Sequence, residues 1–300
     1  MSPAEWLHKI ADLNVYRARH GVAPHKPLLL LVLCDLADEG LLPGLQIDLT
    51  PQLAFRFFSY WTIVAHRRTQ RADVRFPFYH LSGDGLWTPL DTAGRPASEP
   101  RRAGRARFDP TFRASLGDRQ FRDTARRLLI EGYFPQDEQI SLYALLGWEL
   151  PDDFGEAHEN LLPEPAEERG RQVRFRLTVV ARYDYTCALT GCCLTTIDGA
   201  TIVDAAHIHD FADSRNNEPA NGLALCKNAH WLFDNGLWSL SDNFEVLVAR
   251  DFFEERPSDY PLLTQYEGRR IRLPKNEAHW PGRGFVGWHR ENVFLGSAAL

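Results

Sequence analysis

Apolar residues in the first half of the chain come first as one dense block and then in alternation. After Pro27 the run LLLLVLCDLADEG is apolar around nearly the whole of a helical projection, which predicts a buried helix; proline suits its first turn and Gly40 the residue past its end. The segment FPFYHLSGDGLWTPL alternates on both sides of Gly83-Asp84-Gly85, the pattern of a β-hairpin. From Pro151 to Gly170 the chain is acidic and rich in turn formers, with no apolar period of either kind. That stretch reads as a linker, residues 151–170, between domains at 1–150 and 171–300. Beyond it, Val173, Phe175, Leu177 and Val179 alternate as a strand does, while Val173, Leu177, Val180 and Ala181 fit a helical stripe, so periodicity leaves both open. TIVDAAHI reads as a strand, LCKNAHWLFDNG as a short helix stopped by Gly236, and LWSLSDNFEVLVA as a hairpin around Asp242-Asn243. The expected class is α+β, with helix and a little sheet in the first domain.

Composition changes this picture in two places. The start, MSPAEWLHKIADLN, lacks the basic residues and apolar run of a secretory signal, and the longest apolar stretch, Leu28 to Cys34, is too short to span a bilayer. A cytoplasmic protein without membrane association is expected, and five cysteines in 300 residues do not make a disulfide framework. Net charge is −6, yet between Arg67 and Arg127 fourteen arginines face seven acidic residues. Such a surplus suits a polyanion. Arg67, Arg68, Arg71, Arg101, Arg102 and Arg105 lie in segments that read as exposed and are the candidates for phosphate contact.

The chemistry-bearing residues concentrate in the second half. Phosphodiester hydrolysis needs a base to activate water and a cation to neutralise charge on the phosphate. Asp204 and His207 fall at the end of the expected strand, Asn221 in a loop, and His230 and Asp234 four residues apart on the expected helix, hence on one face. These pieces, as CALTG at Cys187, DAAHI at Asp204, NGLALC at Asn221 and HWLFDNG at His230, resemble the HNH (ββα-metal) endonucleases, particularly the bacterial restriction branch. GRRIRLP at Gly268 and WHRENVF at Trp288 extend the likeness over residues 171–295.

The resemblance implies a helix at 173–181, His207 as general base, Asn221 as the residue whose amide holds the loop and the base, and His230 as a ligand of a catalytic Mg²⁺ or Mn²⁺. Asp234 would be a second ligand or its support. Many relatives carry a metal-binding acid directly before the base, where this chain has Ala206. The nearest acid, Asp204, is the candidate third ligand, and it reaches the metal only if the strand ends in a bulge or turn, because positions 204 and 207 of a regular strand face opposite sides. Cys187, Cys192 or Cys193, and Cys226 are either ligands of a structural zinc or small buried core residues; two well-formed C-x-x-C knuckles are absent. His209, His279 and His289 default to structural or phosphate-contact roles.

APHKPLLLL at Ala23, FPFYHLSGDGLW at Phe76 and YFP at Tyr133 resemble the DNA sulfur-binding domains that precede HNH units in phosphorothioate-dependent restriction enzymes. That likeness implies an apolar pocket bordered by basic groups, with Phe134 and Pro135 in it, although His80 stands where Arg is common and Glu138 where a small residue suits the cavity. The expected partner is double-stranded DNA carrying a modification, read by the first domain and cut by the second, and a homodimer is allowed. The alternatives are a nuclease for unmodified DNA and a DNA-binding regulator with an inactive HNH unit.

Overall fold

The structure is a computed structural model, which describes residues 1–18, 21–42, 44–65, 72–151, 154, 163–197, 199–250, 252, 254–255 and 263–297. It forms two compact units, one of residues 1–173 with 196–200 and one of residues 174–195 with 201–300. Both mix helix with small antiparallel sheets, so the α+β expectation holds.

The first unit is organised around the apolar block. Helices α1 (Pro3–Ala11), α2 (His25–Asp38) and α3 (Pro51–Val64) are joined by the two-residue strands β1 (Arg17–Ala18) and β2 (Gly21–Val22) and by β3 (Gln46–Asp48). Every residue of α2 from Lys26 to Cys34 is buried, as an all-round apolar helix must be, and Gly40 follows its end at φ +69°. The acidic end of α2 is neutralised from helix α6 (Arg119–Tyr133): Arg126 donates to Asp35 at 2.8 Å and Arg122 to Asp38 at 2.7 Å. Tyr60 of α3 donates to Asp35 as well, at 2.6 Å. Part of the arginine surplus is thereby paired within the fold, while Arg95, Arg102 and Arg105 stay exposed and pair with neighbouring carboxylates at the surface, and Arg75 pairs with Asp73.

Two sequence expectations fail here for identifiable reasons. The hairpin around Gly83-Asp84-Gly85 does not form: residues 75–80 are helix α4 (Arg75–His80), a 3-10 turn covers Leu81–Asp84, and only the second arm is a strand, β4 (Trp87–Leu90). Asp84 is drawn inward, accepting from Lys26 Nζ at 2.6 Å and from the Asn14 backbone N–H at 2.8 Å. A turn fixed by that buried pair cannot serve as a solvent-exposed hairpin tip. Strand β4 pairs instead with β5 (Arg105–Phe108), which also pairs with β3, in the order β3-β5-β4. Short helix α5 (Pro110–Ser115) follows, and Trp6, Phe112, Phe108, Trp87 and Phe78 form a chain of ring contacts through the core.

The expected linker also departs from a spacer. Its residues 163–170 open helix α8 (Pro163–Arg182) and pack on α7 (Gln136–Leu146), where Ser141 Oγ donates to the Ala166 carbonyl at 2.8 Å. Residues Ala166, Gly170 and Val173 supply a stripe at helical spacing that is too small to register as apolar periodicity. A Cβ on Gly170 would lie 2.1 Å from the Ser141 carbonyl oxygen and 2.8 Å from Ala144 Cβ. Gly170→Ala is therefore expected to lower stability by roughly 1–3 kcal/mol. A thermal unfolding curve checks this, because an uncrowded helical position would gain stability from alanine.

In the second unit β6 (Val203–His207) pairs antiparallel with β7 (Gly222–Cys226), and β7 runs into α10 (Lys227–Asp234); the short helix α9 (Phe211–Ser214) lies in the loop between the strands. Gly236, at φ +69°, ends α10, and the hairpin β8 (Trp238–Leu240) and β9 (Val246–Val248) follows as the sequence predicts. Helix α11 (Arg283–Asn292) closes the unit by placing His289 against Phe233 of α10, the rings stacked at 3.7 Å. The segment at 173–181 is helical, the outcome the resemblance implies.

Candidate active site

Strand β6 delivers His207 to the edge of the second unit. Val203 and Ala206 are fully buried, so an acid directly before the histidine would put a carboxylate into the core. His207 instead stacks on Phe175 of α8, with centroids 4.0 Å apart and planes within 6°. Its Nε2 lies 3.0 Å from Asn217 Oδ1. An amide oxygen accepts only, so Nε2 carries the proton and the ring's lone pair sits on Nδ1.

The loop between the two strands is tied by Asn221, which is 0% exposed. Its Oδ1 accepts from the His209 backbone N–H at 2.8 Å, and its Nδ2 donates to the carbonyls of His209 at 3.0 Å and Asn216 at 3.2 Å. One side chain thus fixes both sides of the loop that carries Asp210 and Asn217. His209 itself stacks on Trp288 of α11 at 3.6 Å.

Helix α10 supplies the opposing wall. His230 Nε2 and Asp234 Oδ2 are 3.3 Å apart, one turn from each other. A cavity of about 250 Å³ is lined by His207, Asp210, His230, Asp234 and His289. Burial pushes the Asp234 carboxyl up, His230 opposes that, and repulsion from Asp210 adds to it. Around this cavity stand the carboxylates of Asp210 and Asp234 and the imidazoles of His207, His230 and His289; the carboxylate oxygens are the donors that suit Mg²⁺ or Mn²⁺. Among the described residues, no three His, Cys, Asp or Glu side chains are gathered closely enough to clasp an ion by themselves.

Asp204 does not reach this cavity. The strand is regular, with Asp204 opposite Leu225 and His207 opposite Gly222, and no bulge turns the acid round. It accepts from Arg176 at 2.7 Å and from Lys227 at 2.8 Å, and although burial works the other way, these cations hold its carboxyl below the usual range. Asp204→Ala is expected to cost roughly 1–2 kcal/mol of stability. The ion concentration needed for activity should stay as it is, which a denaturation curve and a metal titration together check.

The acid near His207 that shares its cavity is Asp210, three residues on, where it also caps α9 by accepting from Ala212 N–H. The sequence reading passed over Asp210 and Asn217, whose only local signals are a cap before Phe211-Ala212 and an asparagine in a turn. The thiols form a pair: Thr190 N–H donates to Cys187 Sγ at 3.4 Å, Thr190 Oγ1 lies 3.8 Å from Cys226 Sγ, and both cysteines are buried. Their mutual hydrogen bond lowers Cys226 to about 6 and raises Cys187. Cys192 is half-buried and Cys193 exposed.

In the first unit, His80 lines a cavity of about 830 Å³ with Tyr16, Phe76 and Pro77. Phe134 is buried at the α6 to α7 junction, its carbonyl accepting from Gln139, while Pro135 is exposed and Glu138 fully buried. Arg101, Arg102 and Arg105 are exposed, whereas Arg67, Arg68 and Arg71 lie outside the described residues.

An antiparallel strand pair leads into a short helix, with a histidine ending the first strand and a His–Asp pair on the helix, the arrangement that the resemblance to ββα nucleases implies. Residues 187–241, within the second unit, match the family described as HNH endonuclease. Among solved structures, one described as "Modification dependent TagI restriction endonuclease" is similar at 21% identity and a TM-score of 0.32. The likeness covers 42% of this chain and 40% of that one. No curated protein matches. Among the described residues, no helix is long and apolar enough to cross a membrane.

Proposed function

We propose that the protein is a metal-dependent endonuclease that hydrolyses phosphodiester bonds of double-stranded DNA, with residues 1–150 as the DNA reader and residues 171–300 as the cutter. The observation that carries this reading is the position of His207, whose Nε2 is engaged by Asn217 and whose ring faces the same cavity as Asp210, His230 and Asp234. A water molecule in that cavity gives a proton to His207 Nδ1 as its oxygen bonds to phosphorus, and the bond from phosphorus to the leaving oxygen breaks. Phe175 keeps the imidazole in plane during the transfer, and Asn221 keeps the loop with Asn217 and Asp210 in register. His230 and Asp234, with Asp210 close by, would hold a divalent ion, which supplies charge neutralisation at the phosphate and at the leaving oxygen.

The first unit fits DNA by its exposed Arg101 and Arg102, which offer charge to the backbone without reading bases. We take its substrate to be modified duplex DNA, as the likeness to sulfur-binding domains implies.

The test is one plasmid assay. Supercoiled plasmid is incubated with the full chain across a range of Mg²⁺ and Mn²⁺, then with matched unmodified, methylated and phosphorothioated DNA. Wild type should cut only with the ion. His230→Ala and Asp234→Ala should raise the required ion concentration by about 10–100-fold. Superimposable titrations for wild type and both variants would place the ion elsewhere, and equal cutting of all three DNAs would remove the modified substrate.

A further inference from the structure

A cavity in the first unit is not used by the nuclease chemistry. At about 830 Å³ it lies well within the 300–1,000 Å³ of sites for small organic groups. Its lining carries exposed aromatic surface, which monomeric proteins usually bury: Phe76 is 50% and Tyr16 70% exposed. Phe76 and His80, one turn apart on α4, hold their rings parallel within 6° at a centroid distance of 6.4 Å. That is close to twice the roughly 3.4 Å rise of one stacked base. Tyr16 stands at the foot of the β1–β2 hairpin, where its carbonyl accepts from Ala23 N–H at 2.9 Å. The hairpin carries the exposed Arg17.

Polar groups in the cavity favour a neutral, acceptor-bearing ring over a cation. Lys26 donates to Asp84 at 2.6 Å and to the Asn14 carbonyl at 2.6 Å, so the acid beneath the cavity is already neutralised. Asp73, the other acid in the lining, is paired with Arg75 at 2.8 Å. Burial and the nearby Lys26 lower the His80 imidazole, leaving at neutral pH one donor and one acceptor nitrogen, which suits the edge of a heterocycle.

We propose that this cavity receives a single nucleobase unstacked from the DNA, laid against the Phe76 and His80 rings with Tyr16 closing over it. The proposal rests on the reading of the first unit as a DNA binder and adds what that unit recognises. A base leaves the stack most cheaply when it is already unpaired, and each base–aromatic stack lost by alanine substitution typically costs about tenfold or more in affinity.

The experiment measures fluorescence anisotropy of two short duplexes, identical except for one mispaired base, titrated with the full chain carrying His207→Ala so that the DNA stays intact. The mispaired duplex should bind at least about tenfold more tightly. Tyr16→Ala and Phe76→Ala should bind the two duplexes alike, Tyr16→Phe should keep the preference, and melting curves show whether each variant is folded. Binding of both duplexes with equal affinity overturns the base pocket alone, as does a preference that survives both alanine substitutions in folded protein. Absence of binding to either duplex at low salt overturns the DNA-reader reading, and the pocket with it.

Discussion

His207→Ala is expected to cut the rate of DNA cleavage by about 10²–10⁴-fold, the range for loss of a positioned general base. Folding should survive, because His207 sits at the strand end, half-buried, and stacks on Phe175 without being enclosed by it. DNA binding should survive as well, since the charge and the cavity of the first unit are untouched. The prediction becomes sharper with Asn217, whose Oδ1 accepts from His207 Nε2 and so sets the tautomer. Asn217→Ala should slow cleavage and shift its pH profile, whereas Asn217→Asp retains the acceptor and should raise the pH at which the base gives up its proton. Initial rates of plasmid nicking across pH, with melting curves as control, check both. Retention of more than a tenth of wild-type cutting by folded His207→Ala would take the base role away from that residue.

What the sequence made legible was whatever is decided within a few neighbouring residues. Strand β6, helix α10 and its Gly236 stop follow from alternation, spacing and the left-handed residue past the helix, and they were enough to set His207, His230 and Asp234 in order. What stayed hidden depended on partners far along the chain. Asp84 looks like a turn residue until Lys26, 58 positions earlier, draws it inward, and with that the hairpin becomes a helical turn. Residues 163–170 look like a spacer because the feature that docks them on α7 is the missing side chain of Gly170.

The acids of the site show the same division. Strand geometry alone argues that Asp204 and His207 face opposite ways, and the pairing of Asp204 with Arg176 and Lys227 is how the other face uses that charge. No local pattern could name Asp210 in its place, because its approach to Asp234 depends on a loop shaped by the three hydrogen bonds of buried Asn221. His289 was equally opaque. It is a histidine in a helical tail by sequence, yet it forms part of the cavity wall and stacks on Phe233, which lies between His230 and Asp234 in α10.

That histidine sets the second large effect, a loss of stability on mild acidification. His289 is 2% exposed; Ser239 Oγ lies 2.9 Å from its Nδ1, and its Nε2 lies 3.1 Å from the Phe233 carbonyl. Since a carbonyl only accepts, Nε2 carries the proton and Nδ1 accepts from the serine, so the neutral ring is fully satisfied. Burial lowers its pKa from 6.5 to about 4, against a small opposing effect of the Phe233 carbonyl. Between those two values the unfolded chain takes up a proton and the folded chain does not. The contribution of His289 is therefore complete above pH 6.5 and is lost as pH falls towards 4, by about 3 kcal/mol in all. Asp204, held below the usual carboxylate range, acts in the same direction at still lower pH, while Asp234, held above it, acts in the opposite one. Urea unfolding of the full chain at a series of pH values between 7 and 4 should show the second unit weakening over this window. His289→Gln should start less stable, having lost the stacked ring on Phe233, but its stability should fall much less over the same range. Parallel declines for wild type and His289→Gln would mean that the proton is taken up elsewhere.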